Sequence, residues 1–259
     1  MRPAGGATRK ADAVVQGDRI RFLDQGEGDP VLLVHGAYGR GDVFARSPFG
    51  LALSSGRRII APDALGHGDS DAPADPGAYG PDRRADHLAA ALDAAGVERA
   101  HVVGYSMGGW AASALATRHP DRIASLAIGG WDVVDGMYTP AKAWGFAEIT
   151  YDVLTALVRQ GRPELLEDVT PEREPGLAMA INAMNTLAGL AEGVAACPAP
   201  TALWIGRDDL YHDAGRRFAE ATGCRFISLT GDHETVIHTH GAAAAARVSH
   251  FIETSGEQA

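Results

Sequence analysis

The sequence predicts an α/β architecture: a mostly parallel central sheet with helices on both faces. Three observations predict it. Short apolar, β-branched runs recur along the 259 residues and alternate with segments of helical character, which is the pattern of parallel strands joined by helical crossovers. One such run, His101-Val-Val-Gly-Tyr105, passes through Gly104-Tyr-Ser-Met-Gly108 into an Ala-rich stretch and reads as strand, sharp turn and helix. The apolar content of 46% and charged content of 22% are those of a globular chain, long enough for one large core with an inserted lobe.

Taken in order, strands are expected at residues 19–24, 31–35, 58–61, 100–105, 123–128, 201–205 and 225–229. Each is a brief apolar run bounded by polar or turn residues. Helices are expected at 82–95, 107–118, 213–221 and 241–253, the last beginning in an Ala run that favours helix. Residues 1–13 carry Arg and Lys with no apolar stretch behind them, so they read as a disordered lead-in and not as a secretory signal. The alternation breaks between Trp131 and Cys197. There Phe146, Ile149, Val153 and Leu157 recur at helical spacing, as do Leu177, Ile181, Met184, Ala188 and Ala191, with Pro163, Pro171 and Pro175 between the two stripes.

In sheets of this kind, sites lie just beyond the carboxyl ends of the strands. His35, Ser106 and the Asp208/Asp209 pair all fall there. At a Gly-x-Ser-x-Gly turn the central residue is held in a strained backbone conformation with its side chain exposed at a helix N-terminus. The positive end of that helix suits a developing oxyanion. Ser106 is therefore the candidate nucleophile. A serine hydroxyl needs a base to take its proton, and an imidazole titrates in the right range. His233, in a Gly-Asp-His turn after the last expected strand, is the candidate base. His238 and His240 follow it at spacings that do not match a helical metal site.

Four ordered motifs resemble the α/β-hydrolase family over nearly the whole chain. They are Pro30-Val-Leu-Leu-Val-His-Gly-Ala-Tyr-Gly39, Pro62-Asp-Ala-Leu-Gly-His-Gly-Asp-Ser70, the serine pentapeptide, and the late pair Gly206-Arg-Asp-Asp209 and Gly231-Asp-His233. The order Ser, Asp, His is this family's order. The resemblance implies the α/β-hydrolase fold, with residues 1–131 and 196–259 as core and 132–195 as a small helical cap. It assigns the triad acid to Asp209 and leaves Asp208 and Asp132 as alternatives. It assigns the oxyanion donors to the backbone N–H groups of Ala37 and Met107. The expected substrate pocket comprises His35, Tyr38, Trp131, Met137, Tyr138, Trp144 and Tyr151, whose aromatic and Met side chains suit apolar ligands. Asp63, His67 and Ser70 read as structural groups of a Gly-rich turn, and His119 as a helix-terminal cation.

The implied activity is a serine hydrolase acting on a carboxylic ester or lactone through an acyl-enzyme. Haloalkane dehalogenases and epoxide hydrolases on this fold use an aspartate at the elbow, where this chain has Ser106. A C–C bond hydrolase, a cofactor-free haloperoxidase, a lyase and a non-catalytic ligand binder stay open as alternatives. A lyase usually needs an extra cation, and Lys142 is the only lysine of the cap. No cofactor and no metal are expected. The net charge of −10 disfavours nucleic acid and anionic membranes as partners. Without an apolar run near ~18 residues, no transmembrane helix is expected. Cys197 and Cys224 lack metal spacing and read as free thiols of a cytoplasmic protein. A small-molecule substrate and a monomeric or homodimeric state complete the expectation.

Overall fold

A computed structural model of the chain describes residues 8–255. Eight strands form one sheet: β1 (Arg9–Val15), β2 (Asp18–Gln25), β3 (Asp29–Val34), β4 (Arg57–Pro62), β5 (Ala100–Tyr105), β6 (Ile123–Gly129), β7 (Thr201–Gly206) and β8 (Arg225–Leu229). Their order is β1-β2-β4-β3-β5-β6-β7-β8. The β1–β2 and β2–β4 pairs are antiparallel, and every other pair is parallel. The chain lays down β4 on one side of β3 and β5 on the other, so a crevice opens at the carboxyl ends of β3 and β5.

The helices are α1 (Gly41–Ala45), α2 (Pro48–Leu53), α3 (Pro81–Ala94), α4 (Met107–Arg118), α5 (Tyr138–Trp144), α6 (Tyr151–Gly161), α7 (Glu174–Asn182), α8 (Leu190–Ala195), α9 (His212–Thr222) and α10 (Gly241–Ser255). The period of two along the central strands divides the core. In β3, Leu32 and Val34 face the layer that holds Leu92 of α3, Leu115 of α4 and Phe218 of α9. Val31 and Leu33 face the layer of Phe49 from α2 and Phe251 from α10. Burial on both faces is why these strands read as unbroken apolar runs.

Two expectations need correction. The lead-in expected at 1–13 is in part β1; residues 1–7 lie outside the described residues. β1 is an edge strand with Ala13 alone fully buried. It is held by hairpin pairing to β2 and by charge, Arg9 to Asp24 at 2.7 Å and Lys10 to Asp69 at 3.0 Å. An edge strand needs no apolar alternation, and charges there guard against edge pairing. Its two-residue turn places Gln16 at φ 52° and Gly17 at φ 90°, the geometry of a tight hairpin.

The second correction concerns the two cap stripes. The first becomes α6, but Phe146 and Ile149 precede that helix. The second is split: α7 ends at Asn182, Met184 lies in a short 3-10 turn, and Ala191 belongs to α8. α8 packs on α4, where a Cβ at Gly193 would meet the Thr117 side chain, so this end of the inserted segment rests on the core. Among the described residues, no helix is long and apolar enough to cross a membrane.

Candidate active site

β5 runs directly into α4, and the residue between them is Ser106, at φ 56° and ψ −118°. A non-glycine residue in this region is strained and must be held by its surroundings. The Ser106 N–H donates to Gly129 O at 2.8 Å, and its carbonyl accepts from Gly109 N at 2.8 Å and Trp110 N at 3.1 Å. These bonds fix the backbone and turn the hydroxyl outward. The turn closes because its flanks are glycine. A Cβ at Gly104 would lie 2.1 Å from Gly108 O, and one at Gly108 would lie 2.1 Å from Val34 O.

The loop after β3 abuts the serine, since a Cβ at Gly36 would come within 3.3 Å of Ser106 Cβ. His35 is a strut within this loop. Its Nε2 accepts from Ala64 N at 3.0 Å and its Nδ1 donates to Gly36 O at 2.7 Å. Burial pushes its pKa down, so the neutral tautomer persists. Its ring borders the cavity, but both nitrogens are occupied. Asp63 and Ser70 hold the neighbouring turn: Asp63 accepts from Gly41 N and Asp69 N, and Ser70 donates to Asp63 O. Among the described residues, the N–H groups of Ala37 and Met107 donate to no other protein group.

The sequence offers three carboxylates near the histidine, and the structure joins one of them to it. Asp209 Oδ2 accepts from His233 Nδ1 at 2.8 Å, and Asp209 Oδ1 accepts from Tyr211 N at 3.0 Å. The Asp209 side chain is 2% exposed. Asp208, one residue earlier, is exposed to solvent. Asp132 holds the turn that follows β6, accepting from Val134 N, Asp135 N and Thr139 Oγ1. Burial alone would lower the pKa of His233, but the charge of Asp209, its hydrogen bond, and the charges of Glu234 and Asp232 reverse this and raise it. With Nδ1–H committed to Asp209, Nε2 is left as the acceptor. Ser106 and His233 border the same hollows, and no direct hydrogen bond joins them in this structure. Among the described residues, no cluster of three metal-ligating side chains forms.

Two adjoining hollows share Ala37, Ser106, Leu154, Val158, His233 and Glu234 as walls. The smaller, about 210 Å³, is completed by Tyr38, Phe44, Leu165 and Ile237. The larger, about 500 Å³, is completed by Met137, Trp144, Leu157, Met184 and Tyr211. Tyr38, Met137 and Trp144 therefore reach the site. The Tyr38 hydroxyl is bonded to Thr155 Oγ1 at 2.8 Å, so its ring serves as wall. Burial pushes its pKa up to about 12, which keeps it neutral. The other three pocket expectations are corrected. Trp131 is fully buried behind Gly109, Tyr138 is exposed, and Tyr151 is buried with its hydroxyl on Glu174. None of the three lines either hollow. Sequence reasoning missed Leu154, Val158 and Tyr211. Leu154 and Val158 stand four apart on α6, beside the expected stripe residues Val153 and Leu157, and the tertiary placement of α6 brings them to the same hollows as Ser106.

A family model described as the alpha/beta hydrolase fold matches residues 29–187. The chain belongs to the α/β-hydrolase family. A 2-hydroxymuconate semialdehyde hydrolase of Pseudomonas putida is 40% identical over 143 residues, 52% of this chain and 48% of that protein. The chain thus spans about half the length of the curated relatives it matches. Among solved structures, a meta-cleavage product hydrolase from Pseudomonas fluorescens IP01 superposes with a TM-score of 0.75 at 24% identity, covering 94% of this chain and 97% of the other. An enol-lactonase from Burkholderia xenovorans LB400 superposes at 0.74 with 23% identity, covering 94% and 100%. At such identities the structural likeness speaks for the α/β-hydrolase fold alone.

Proposed function

We propose that this α/β-hydrolase is a serine hydrolase that cleaves a carboxylic ester or lactone of a small, largely apolar substrate. The observation that carries the reading is the pairing of His233 with buried Asp209 at 2.8 Å beside a hollow that also holds the strained Ser106. In this reading Ser106 attacks the substrate carbonyl and His233 Nε2 accepts the hydroxyl proton. The N–H groups of Ala37 and Met107 stabilise the oxyanion, and the helix dipole of α4 adds to them. The imidazolium, held by Asp209, then protonates the leaving oxygen. Water attacks the acyl-enzyme with His233 again as base, and the carboxylic acid leaves. Met137, Trp144, Leu154 and Leu157 offer apolar walls that suit an uncharged substrate.

The sequence match to the 2-hydroxymuconate semialdehyde hydrolase supports a second reading, hydrolysis of 2-hydroxymuconate semialdehyde or a related compound by the same serine, histidine and aspartate. One experiment separates them. Wild type and Ser106→Ala are compared on nitrophenyl esters from acetate to decanoate and on 2-hydroxymuconate semialdehyde. Ser106-dependent turnover of the esters is expected, with an optimum set by the two hollows. Turnover of the semialdehyde alone moves the assignment to the second reading, and turnover of neither points to a non-catalytic ligand binder.

A further inference from the structure

His233 lies between β8 and α10 in a run of turns with no helix or strand. Regular secondary structure therefore does not fix its position. Turn bonds such as Val236 N to Asp232 O shape the segment, but they do not register it against Ser106. The link to the nucleophile comes from Tyr105. The Tyr105 hydroxyl donates to the backbone carbonyl of His233, and its ring lies 5.2 Å from the imidazole. Tyr105 is itself 2% exposed and locked in place. Its ring stands 5.0 Å from Trp204, and a Cβ at Gly130 would fall within 2.8 Å of its hydroxyl oxygen. On the other side, Tyr211 stands 5.7 Å from the imidazole and 6.0 Å from Trp131. Phe49 stacks on Trp204 at 4.7 Å. His233 is thus one member of an aromatic column running Phe49, Trp204, Tyr105, His233, Tyr211, Trp131.

We infer that Tyr105 is the positioning residue for the base: its hydroxyl anchors the His233 carbonyl and its ring backs the imidazole, so the dipeptide Tyr105–Ser106 sets nucleophile and base together. This rests on the reading of His233 as the base. The alternation of β5 explains how neighbours can do both. Tyr105 points into the layer beneath the histidine, while Ser106 leaves the strand and turns upward. Burial first, and then the charges of Asp209, Glu234 and Asp232, hold the phenol far above its ordinary pKa, so it stays a donor across the working range. The groups facing His233 are Asp209 and Tyr211 after β7, Tyr105 from β5, and Asp232 and Glu234 of its own turn. Arg162 of α6 acts through its 3.1 Å pair with Glu234.

The test is Tyr105→Phe, which keeps the ring and removes the hydroxyl. A loosened imidazole holds Asp209 less well, so its pKa falls back toward the ordinary value. We expect kcat on a nitrophenyl ester to drop about tenfold with KM within about twofold. The acid limb of kcat/KM should move to lower pH. NMR titration of the His233 ring should show the same downward shift, and it requires no turnover. Leu92→Ala, a fully buried core substitution in the opposite layer and outside the column, serves as the control; it should lower Tm and leave the limb in place. A folded Tyr105→Phe with wild-type kcat and an unmoved titration overturns the inference, as does a loss of Tm with the limb unmoved. If that chain does not fold, Tyr105→Met replaces it, and an unmoved limb there overturns the inference equally. Absence of Ser106-dependent turnover in wild type defeats the hydrolase reading, while the His233 titration still decides the role of Tyr105.

Discussion

Asp209→Asn exposes the logic of the site most directly. Asp209 Oδ1 accepts from Tyr211 N at 3.0 Å, while Oδ2 accepts from His233 Nδ1 at 2.8 Å. An asparagine keeps its amide oxygen on Tyr211, which leaves the amide nitrogen facing the imidazole. Two donors cannot meet, so Nδ1 must become the acceptor and Nε2 must carry the proton. In that tautomer His233 cannot take the proton of Ser106. The stabilisation of the imidazolium by a 2% exposed carboxylate is lost as well. Together these should lower kcat by about 10³ to 10⁴, or roughly 4 to 5.5 kcal/mol of barrier. The assay is Ser106-dependent hydrolysis of a short nitrophenyl ester across about pH 5 to 9.

Stability should follow a different course. The folded-state pKa of His233 is raised, so its contribution is fully present below the unfolded value of 6.5 and is lost as pH rises through the folded value. Asp209→Asn should therefore be most destabilising in acid. At high pH it replaces a buried carboxylate whose histidine partner is neutral, so it should be neutral or stabilising there. The deficit of the variant in denaturant midpoint should thus be larger at the acid end of the range and shrink to zero or invert at the alkaline end. Retention of a tenth or more of kcat would refute the reasoning, because the acid would then lie elsewhere; Asp132→Asn would be the next variant.

Ser106→Gly should abolish hydrolysis yet raise the unfolding free energy by about 1 kcal/mol, because glycine relieves the strain at φ 56°; urea denaturation checks this. Gly104→Ala should cost about 3 kcal/mol, since its Cβ would meet Gly108 O at 2.1 Å and backbone cannot yield cheaply; Tm and soluble yield report it. Wild-type kcat/KM should fall on the acid side with an apparent pKa above 6.5, because the protonated imidazole cannot act as base. Trp144→Ala should raise KM for the longer esters by about 1 to 2 kcal/mol equivalent while sparing acetate, since Trp144 walls the larger hollow at its half-exposed edge.

The central parallel strands were legible because burial on both faces leaves them as continuous apolar runs, and β5 occupies the residues expected of it; β8, at the sheet edge, was legible from its alternation of exposed and buried residues. β1 was not legible, because an edge strand half in water carries charge where a central strand carries apolar residues. α1 and α2 are too short, at five and six residues, to show a helical period. The pocket was the least legible part. Trp131, Tyr138 and Tyr151 have the composition of pocket residues, yet Trp131 packs behind α4, Tyr138 faces solvent and Tyr151 packs against Leu177 and Ile181 of α7.

By itself the sequence determined the parallel strands, the elbow at Ser106 and the identity of the chemical groups available at the strand ends. These follow from local causes: the period of buried side chains, the steric freedom of Gly104 and Gly108, and the reactivity of each residue type. Only the tertiary structure decided which carboxylate meets His233, which face of α6 covers Ser106, and that Tyr105 reaches across to the His233 carbonyl. The physical reason is that each of these is a contact between segments distant in the chain. A hydrogen bond at 2.8 Å between residues 209 and 233 depends on how two loops close over a sheet, and no local spacing encodes that distance.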